Sequence, residues 1–276
     1  MKQTTIAMII IAVAGLICGI AALLSTLAMA EKINRVDVVA KGKTTFENLP
    51  GFKTLSFENC GEIVFNDSFP GIKIVVDPQV TQPTVSAPEE VMTFINHEMD
   101  GDLLKLYLHP DSTIYPSVAK RHSFYEITAS SPITVTVGSL PEMIDNNCNL
   151  SITLAGNHMT SDTVRINTPR ALNVADCSLA NLEVSGDRSG YFSSISLNLT
   201  GNSHINSLHT TRLRNITLTT DSTASIASML WTGIKDYSHK LRITEANIGK
   251  FEFIPAKNSD IAIISSENLS ASFAAN

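Results

Sequence analysis

The residues best suited to acid–base chemistry in this sequence are two carboxylates and a guanidinium beside one predicted turn, Glu183, Asp187 and Arg188. Enzymes that cleave polysaccharides use paired carboxylates, or a basic residue beside acidic metal ligands, on one face of a fold. Asp176 precedes this cluster, but the surrounding sequence does not repeat the acidic group. Solvated charges at a turn explain it more simply. We therefore expect a non-catalytic binding or adhesion protein. The alternatives are a polysaccharide lyase or hydrolase on a β-helix, and a purely structural protein of the cell envelope.

Other signatures of catalysis and metal binding are missing from the sequence. No Gly-x-Ser-x-Gly string marks a serine nucleophile. His204 and His209, the closest pair of histidines, flank a predicted strand, whereas zinc ligands are usually more closely grouped. Asp100 and Asp102 supply two oxygen ligands, and calcium requires six or more. We expect no bound metal and no cofactor.

Two segments rich in aromatic residues are better candidates for recognition. Residues 109–126 read as a long irregular segment, and residues 228–237 as a second insertion that carries the single tryptophan. Rigid aromatic rings beside cations are typical of binding surfaces, although such segments would also serve to cover the end or side of a β core. The candidate ligand contacts are Tyr115, Arg121, His122, Phe124, Tyr125 and Trp231.

The strands that would position these residues recur at an interval. The dipeptides Asn181-Leu182, Asn198-Leu199 and Asn215-Ile216 are spaced by 17 residues. Apolar and polar residues alternate around them, which is the period of a strand with one buried face. A fixed interval indicates stacked units. We predict an all-β fold, a β-solenoid of short stacked strands. In it, the apolar residues of the three dipeptides form one inward column and the asparagines form a ladder.

The chain divides into a leader and one β domain. Residues 1–30 form a signal peptide or transmembrane anchor, and residues 31–276 form the solenoid domain. Within that domain, residues 31–130 contain leading strands and a short helix, marked by Pro88 followed by two glutamates, and residues 131–276 contain the repeated strands. The leading strands are predicted at Val36–Ala40, Thr54–Phe57, Glu62–Phe65, Ile72–Val76 and Leu103–Leu108.

The N-terminal segment indicates export from the cytoplasm. Residues 3–30 carry no charge, and residues 6–24 are almost wholly apolar, which is long enough to span a bilayer as a helix. Ala28-Met29-Ala30 matches a signal-peptidase site. We expect a protein of the cell envelope. It is either anchored in the membrane through residues 4–30, or secreted or periplasmic after cleavage near Ala30.

The charge and composition of the chain limit the classes of binding partner that we expect. The net charge of −6 argues against nucleic acid, because phosphates would be repelled. Charged residues make up only 17% of the chain, so Ser, Thr and Asn must supply much of the polar surface. We expect partners among glycans or other envelope and surface proteins. The cysteines Cys60, Cys148 and Cys177 form no close pair in sequence, and we expect them to act as small buried hydrophobes.

Four segments of the N-terminal half follow one another in a distinctive order. They are Gly61–Phe65, Ile72–Val76, Ala87–Val91 and Gly101–Leu106. This succession of two strands, a short helix and a further strand before a polar β repeat resembles the head GIN domain family of autotransporter-adhesin heads. The resemblance covers roughly residues 36–250. It implies an envelope-associated β-helix that acts in adhesion, and it carries over no catalytic residue.

Overall fold

The computed structural model describes part of the chain. No helix among the described residues is long and apolar enough to cross a membrane. The predicted leader, residues 1–30, lies outside them except at residues 15 and 18–20. The described residues are 15, 18–20, 34–59, 61–110, 123–156, 163–167, 169–186, 194–265 and 272–274.

The described residues form 23 β-strands, and a short helix, α1, spans Glu89–Met92. The all-β prediction is therefore confirmed. The strands are β1 (Asn34–Ala40), β2 (Thr44–Asn48), β3 (Thr54–Asn59), β4 (Ile63–Phe65), β5 (Ile72–Val76), β6 (Thr84–Pro88), β7 (Ile95–Asp100), β8 (Leu103–Leu108), β9 (Ser123–Ala129), β10 (Ile133–Val137), β11 (Met143–Asn146), β12 (Ile152–Ala155), β13 (Val164–Asn167), β14 (Ala171–Ala175), β15 (Ser178–Ser185), β16 (Ser194–Thr200), β17 (His204–Thr211), β18 (Asn215–Thr220), β19 (Ser225–Thr232), β20 (Ser238–Thr244), β21 (Ile248–Ile254), β22 (Asp260–Ser265) and β23 (Ser272–Ala274).

The strands are arranged in three sheets. Sheet A has the order β1-β9-β4. Sheet B has ten strands in the order β2-β6-β10-β5-β12-β14-β16-β18-β20-β22, and sheet C has ten in the order β23-β21-β19-β17-β15-β13-β11-β3-β8-β7. From β10 onward, successive strands alternate between sheets B and C, and from β12 each strand pairs in parallel with the strand two positions later.

The core lies between the inner faces of sheets B and C. Along β16, the alternating sequence Ser-Ile-Ser-Leu-Asn-Leu-Thr buries its three aliphatic residues and leaves the polar ones toward solvent. Such alternation specifies a strand with one buried face. Parallel register then aligns the inward residues of successive strands. One wholly aliphatic column in sheet B comprises Ile133, Ile72, Ile152, Leu172, Leu197, Leu218 and Ile243.

The 17-residue interval is not the interval of strand pairing, so that prediction is wrong. Leu182 lies in β15 of sheet C, whereas Leu199 and Ile216 lie in β16 and β18 of sheet B. All three are buried, but the register places Leu199 level with Thr220 of β18 and not with Ile216. The three side chains therefore belong to three different columns. Each pass through both sheets uses two strands, because the chain crosses from one sheet to the other after every strand.

The number of residues between paired positions also varies. Arg165 and Glu183, which face each other on β13 and β15, are 18 residues apart. Asn173 and Asn198, which face each other on β14 and β16, are 25 residues apart. Connections between strands thus differ in length while the ladders of the two sheets continue.

The predicted insertion at residues 228–237 is also wrong, because its first part belongs to β19. Met229 and Trp231 point inward and are fully buried, while Leu230 lies between them on the outer face. Trp231 pairs with Thr210 of β17 and with Phe253 of β21. The alternation that produces a strand here includes a leucine on the outer face, which obscures the pattern in the sequence.

An asparagine ladder exists, but its members differ from those predicted. On the outer face of sheet B, the amide of Asn198 donates to the side-chain oxygen of Asn173 at 2.8 Å, and that of Asn173 donates to the hydroxyl of Thr153 at 3.2 Å. Asn215 instead donates to the hydroxyl of Ser194 at 2.8 Å, and Asn181 lies in sheet C. Stacked polar side chains at the strand spacing bond one another, as in other cross-strand pairs.

The short helix that the sequence predicted after Pro88 is present as α1, and it contacts β1, β2 and β6. Val91 and the following Phe94 are fully buried, and the acidic first turn contains Glu90. The carboxylate of Glu90 accepts hydrogen bonds from the backbone N–H groups of Lys41 and Gly42, at 3.3 and 2.9 Å. The pKa of Glu90 is lowered by its own backbone N–H and then by the N–H groups of Gly42 and Lys41. This contact ties the helix to the turn between β1 and β2.

We expect Leu199→Asp to lower the free energy of unfolding by on the order of 3 kcal/mol or more, because it places an unpaired carboxylate inside a buried column. Ser196→Asp, on the outer face of the same strand, should be nearly neutral. Chemical denaturation of both variants measures the difference. Equal losses would contradict the assigned facing of β16.

Gly71 and Gly61 provide a second, matched pair. Both have positive φ, at 86° and 83°, which L side chains adopt with strain of about 1 kcal/mol. A Cβ at Gly71 would overlap the carbonyl oxygen of Ser151, whereas a Cβ at Gly61 would meet open space. We expect Gly71→Ala to lower the unfolding free energy by about 3 kcal/mol and Gly61→Ala by about 1 kcal/mol. Thermal and chemical melts would show whether the two losses differ.

Candidate functional site

A groove of about 500 Å³ lies at the end of sheet C where β3, β8 and β7 meet. This volume is within the range of roughly 300–1,000 Å³ that is usual for small-ligand sites. Three strands that are distant in sequence therefore share one concave surface. Its lining residues are Glu58, Asn59, Asn96, Tyr107, Leu108 and His109.

Tyr107 lies in the middle of this groove, and strand alternation puts it there. In Leu-Leu-Lys-Leu-Tyr-Leu, the sequence of β8, every second residue is a buried leucine, so Lys105 and Tyr107 face outward. Tyr107 pairs with Glu58 of β3 on one side and with Asn96 of β7 on the other. These three residues consequently form one row across three hydrogen-bonded strands.

The Tyr107 hydroxyl is held in position by a carboxylate. It donates to Oε2 of Glu98 at 3.1 Å. The pKa of Tyr107 is raised above its ordinary value, first by burial and then by the hydrogen bond and charge of Glu98. The phenol is therefore a protonated donor at neutral pH, and its hydroxyl is already engaged. What remains available to a ligand is the face of the ring.

The groove is acidic. Lys105 forms an ion pair with Asp100 at 3.6 Å, on the side of β8 away from His109. Glu58 accepts only a long hydrogen bond of 3.4 Å from Ser56, and within the described part of the chain neither Glu58 nor Glu98 has an ion-pair partner. Carboxylates thus outnumber cations around the Tyr107 ring.

Three further polar side chains, His109, Asn96 and Asn59, line the groove. The first two have hydrogen-bonding groups to offer a ligand, whereas those of Asn59 are used within the protein. Nδ1 of His109 contacts the carbonyl oxygen of Pro110 at 2.7 Å; because a carbonyl only accepts, Nδ1 carries the proton and Nε2 of the neutral ring is an acceptor. The amide of Asn96 makes no hydrogen bond to the described residues. Asn59, in contrast, is structural, because its amide donates to the Ile63 carbonyl at 2.8 Å and accepts from the Gly61 N–H.

The ligand contacts predicted from the sequence fall in different places. Tyr115, Arg121 and His122 lie outside the described residues, and Phe124 is half-buried in β9. Tyr125 is fully buried and packs edge-to-face on Phe94 with ring centroids 5.3 Å apart. As placed, Tyr125 presents no surface to a ligand.

Trp231 is also a core residue. It is fully buried, its indole N–H donates to the carbonyl of Leu213 at 3.2 Å, and its ring contacts His239 and Phe253 edge-on. The ring fills the space between sheets B and C and does not reach the surface. A large amphipathic ring that finds a backbone acceptor is well suited to such a position.

Of the residues considered for catalysis, the structure describes Glu183 and Asp176. Glu183 forms an exposed ion pair with Arg165 at 2.8 Å, and Asp187 and Arg188 lie outside the described residues. Asp176 accepts the backbone N–H of Asn202 at 3.0 Å in a turn. Among the residues that the structure describes, no three His, Cys, Asp or Glu side chains are grouped to hold a metal ion.

The cysteines behave as small hydrophobes where they are described. Cys177 is fully buried, and burial raises the pKa of its thiol to about 11. Cys148 packs against the core. Cys60 lies outside the described residues.

The row containing Tyr107 was missed in the sequence, although one signal for it exists. The alternation in residues 103–108 indicates that Lys105 and Tyr107 share the outer face of a strand. Nothing in the sequence indicates that Glu58 and Asn96 lie on the neighbouring strands at the same level.

Comparison with known proteins does not assign the chain to a family. No family model matches it, and no curated protein matches it. Among solved structures, a "putative adhesin" of Bacteroides fragilis has a TM-score of 0.39 at 11% identity, covering 83% of this chain and 97% of its own. A "putative adhesin" of Parabacteroides distasonis has a TM-score of 0.38 at 12% identity, with the same coverage of 83% and 97%. A "putative lipid binding protein" of Parabacteroides distasonis has a TM-score of 0.37 at 13% identity, covering 87% and 100%. Similarity this low fixes neither the family nor the activity of this chain.

We expect Glu98→Gln to lower the pKa of Tyr107 toward its ordinary value, because removing the neighbouring negative charge makes the tyrosinate less unfavourable. Ultraviolet difference titration against Tyr107→Phe isolates this one phenol. Glu47→Gln, at an exposed carboxylate on β2, is the control and should leave the titration unchanged. An unaltered Tyr107 titration in Glu98→Gln would show that the hydrogen bond does not form.

Proposed function

We propose that this protein is a non-catalytic binding module of the cell envelope, built on a β-solenoid, that holds its ligand in the Tyr107 groove. The observation that carries the proposal is the row of Glu58, Tyr107 and Asn96 across three strands. A ring held in place by Glu98, beside polar groups with spare hydrogen-bonding capacity, is a preorganised surface. Because the row is part of a hydrogen-bonded sheet, a ligand meets a rigid site.

The alternation of strands between sheets B and C supports the solenoid description. Each two-strand pass lies in parallel register on the previous one, which lengthens the molecule along one axis. The outer face of sheet B offers a long neutral surface that includes the Thr153–Asn173–Asn198 ladder. Such a scaffold suits the display of a binding site away from a membrane.

The apolar N-terminal segment supports the location. Residues 4–30 have the length and composition of an anchor or signal sequence, and either would place the β domain outside the cytoplasm. The same placement gives the groove access to glycans and surface proteins of the envelope. Tyr115, Arg121 and His122 remain candidate contacts, since their segment follows directly after His109 and Pro110 in the chain.

A polysaccharide-cleaving enzyme is the second candidate, because Tyr107 has two carboxylates beside it: Glu58 at the same level on β3 and Glu98 at its hydroxyl. Glycoside hydrolases use such a pair of carboxylates. The raised pKa of Tyr107 does not suit a nucleophile, which needs activation by a lowered pKa or an adjacent base. Release of reducing sugar that is abolished by both Glu58→Gln and Glu98→Gln, with binding retained, would establish this activity.

The proposed function predicts that binding to isolated envelope material depends on Tyr107. We expect Tyr107→Ala to weaken retention by about tenfold or more, since one buried aromatic contact accounts for about 1.4 kcal/mol or more of binding. Tyr237→Ala is the matched control, because Tyr237 is 43% exposed and its ring contacts Arg214. Both residues are far from Tyr107 in the sequence. Co-sedimentation measures retention, and circular dichroism verifies folding. Equal retention of the two variants would contradict a role for the groove.

A further inference from the structure

The charges around the Tyr107 groove select against one class of ligand. Glu58 and Glu98 have no ion-pair partner in the described part of the chain, and the neighbouring cation, Lys105, pairs with Asp100 while its charge also acts on Glu58. A ligand that carries carboxylate, sulfate or phosphate groups would meet a net negative charge here, since Glu58, Glu98 and Asp100 outnumber the single ammonium group of Lys105. Uronic acids, sialic acids and phosphorylated sugars are therefore disfavoured.

The hydrogen-bonding groups of the groove suit hydroxyl ligands. Glu58 and Nε2 of His109 are acceptors, and the amide of Asn96 is both a donor and an acceptor. A sugar hydroxyl donates one hydrogen bond and accepts others, so it matches this mixed set. A basic side chain would satisfy the acceptors alone and would leave the amide donors of Asn96 without a partner.

The Tyr107 ring supplies the apolar part of the site. Its hydroxyl is held by Glu98, so the side chain keeps one direction along the surface of the sheet. A pyranose has one face formed by C–H groups and a rim of hydroxyls. That face can lie on the ring while the rim reaches Glu58 on one side of the row and Asn96 on the other.

Resting on the proposed function, we infer that the groove binds an uncharged glycan, with one pyranose ring stacked on Tyr107 and its hydroxyls bonded to Glu58, Asn96 and His109. Glu98 acts through Tyr107 as a positioning residue. Glu58 serves twice, as an acceptor for neutral sugars and as the charge that rejects acidic ones.

The test is a calorimetric or NMR titration of the full chain with neutral oligosaccharides (β-1,4-glucan, α-mannan and β-galactan) and with the same oligosaccharides oxidised to uronates at C6. We expect at least one neutral oligosaccharide to bind, and its uronate to bind about tenfold more weakly or worse. Glu58→Gln should narrow the gap between the two, because it keeps an acceptor and removes the charge. Tyr107→Ala should abolish binding of the neutral sugar.

Several results would overturn the inference: no binding of any neutral oligosaccharide, tighter binding of the uronate, or neutral-sugar binding that survives Tyr107→Ala. Competition by oligolysine but not by neutral sugar would identify a basic peptide as the ligand instead. Glu98→Ala removes the acceptor of the Tyr107 hydroxyl and separates positioning from folding, since it should weaken sugar binding while leaving the melting temperature unchanged.

The envelope co-sedimentation assay distinguishes failure of this inference from failure of the proposed function. If retention on envelope material depends on Tyr107 but neutral sugar does not compete with it, the glycan assignment is wrong. The proposed binding function then still holds. Retention that does not depend on Tyr107 would overturn both.

Discussion

The contact between the inner faces of sheets B and C is the constraint on which the rest of the structure depends. From β10 to β20 the inward side chains are buried in one core between the two sheets, so an inward position is apolar or, as at Asn146, Thr220 and His239, hydrogen-bonded. Thr210 is the exception among the described residues, because its buried hydroxyl has no hydrogen-bond partner. The parallel ladders then fix which outward residues share a level. The row of Glu58, Tyr107 and Asn96 exists because Leu106 and Leu108 beside Tyr107 are held inward. The site is thus a by-product of core packing, and its geometry is as rigid as the sheet.

Local patterns in the sequence were sufficient to predict where several of the strands form. Ile72–Val76 and Leu103–Leu108 are predicted with their observed bounds, and the acidic turn after Pro88 correctly marks helix α1. Pairing was not predictable, because a period of two residues states which face of a strand is buried and nothing about which strand lies beside it. The dipeptides at 17-residue spacing show this: Leu182 and Leu199 have the same local pattern and equal burial, yet they belong to opposite sheets.

The candidate site likewise has one part that the sequence could predict and one part that it could not. The outward direction of Tyr107 can be read from the leucines around it, whereas Glu58 and Asn96 reach it through one parallel and one antiparallel pairing over long sequence separations. Residue type alone was a poor guide to which aromatic side chains are exposed to a ligand. Trp231 and Tyr125 have the size to fill gaps between sheets, and both do so. The neutral-polar composition did anticipate the outer face of sheet B, where hydroxyls and amides bond one another between strands.

Strand pairing tolerates an interval of 18 residues between Arg165 and Glu183 and of 25 between Asn173 and Asn198. Connection length is therefore free to change while the inner columns stay in register. Each doubling of a flexible connection costs only about 0.6 kcal/mol in closure entropy, far less than the loss from one misplaced inward residue. Insertions and deletions at the strand ends are consequently the changes that evolution can sample most cheaply in this architecture. Related chains should diverge in their connections first, and a designer could graft a foreign peptide between two strands without redesigning the core.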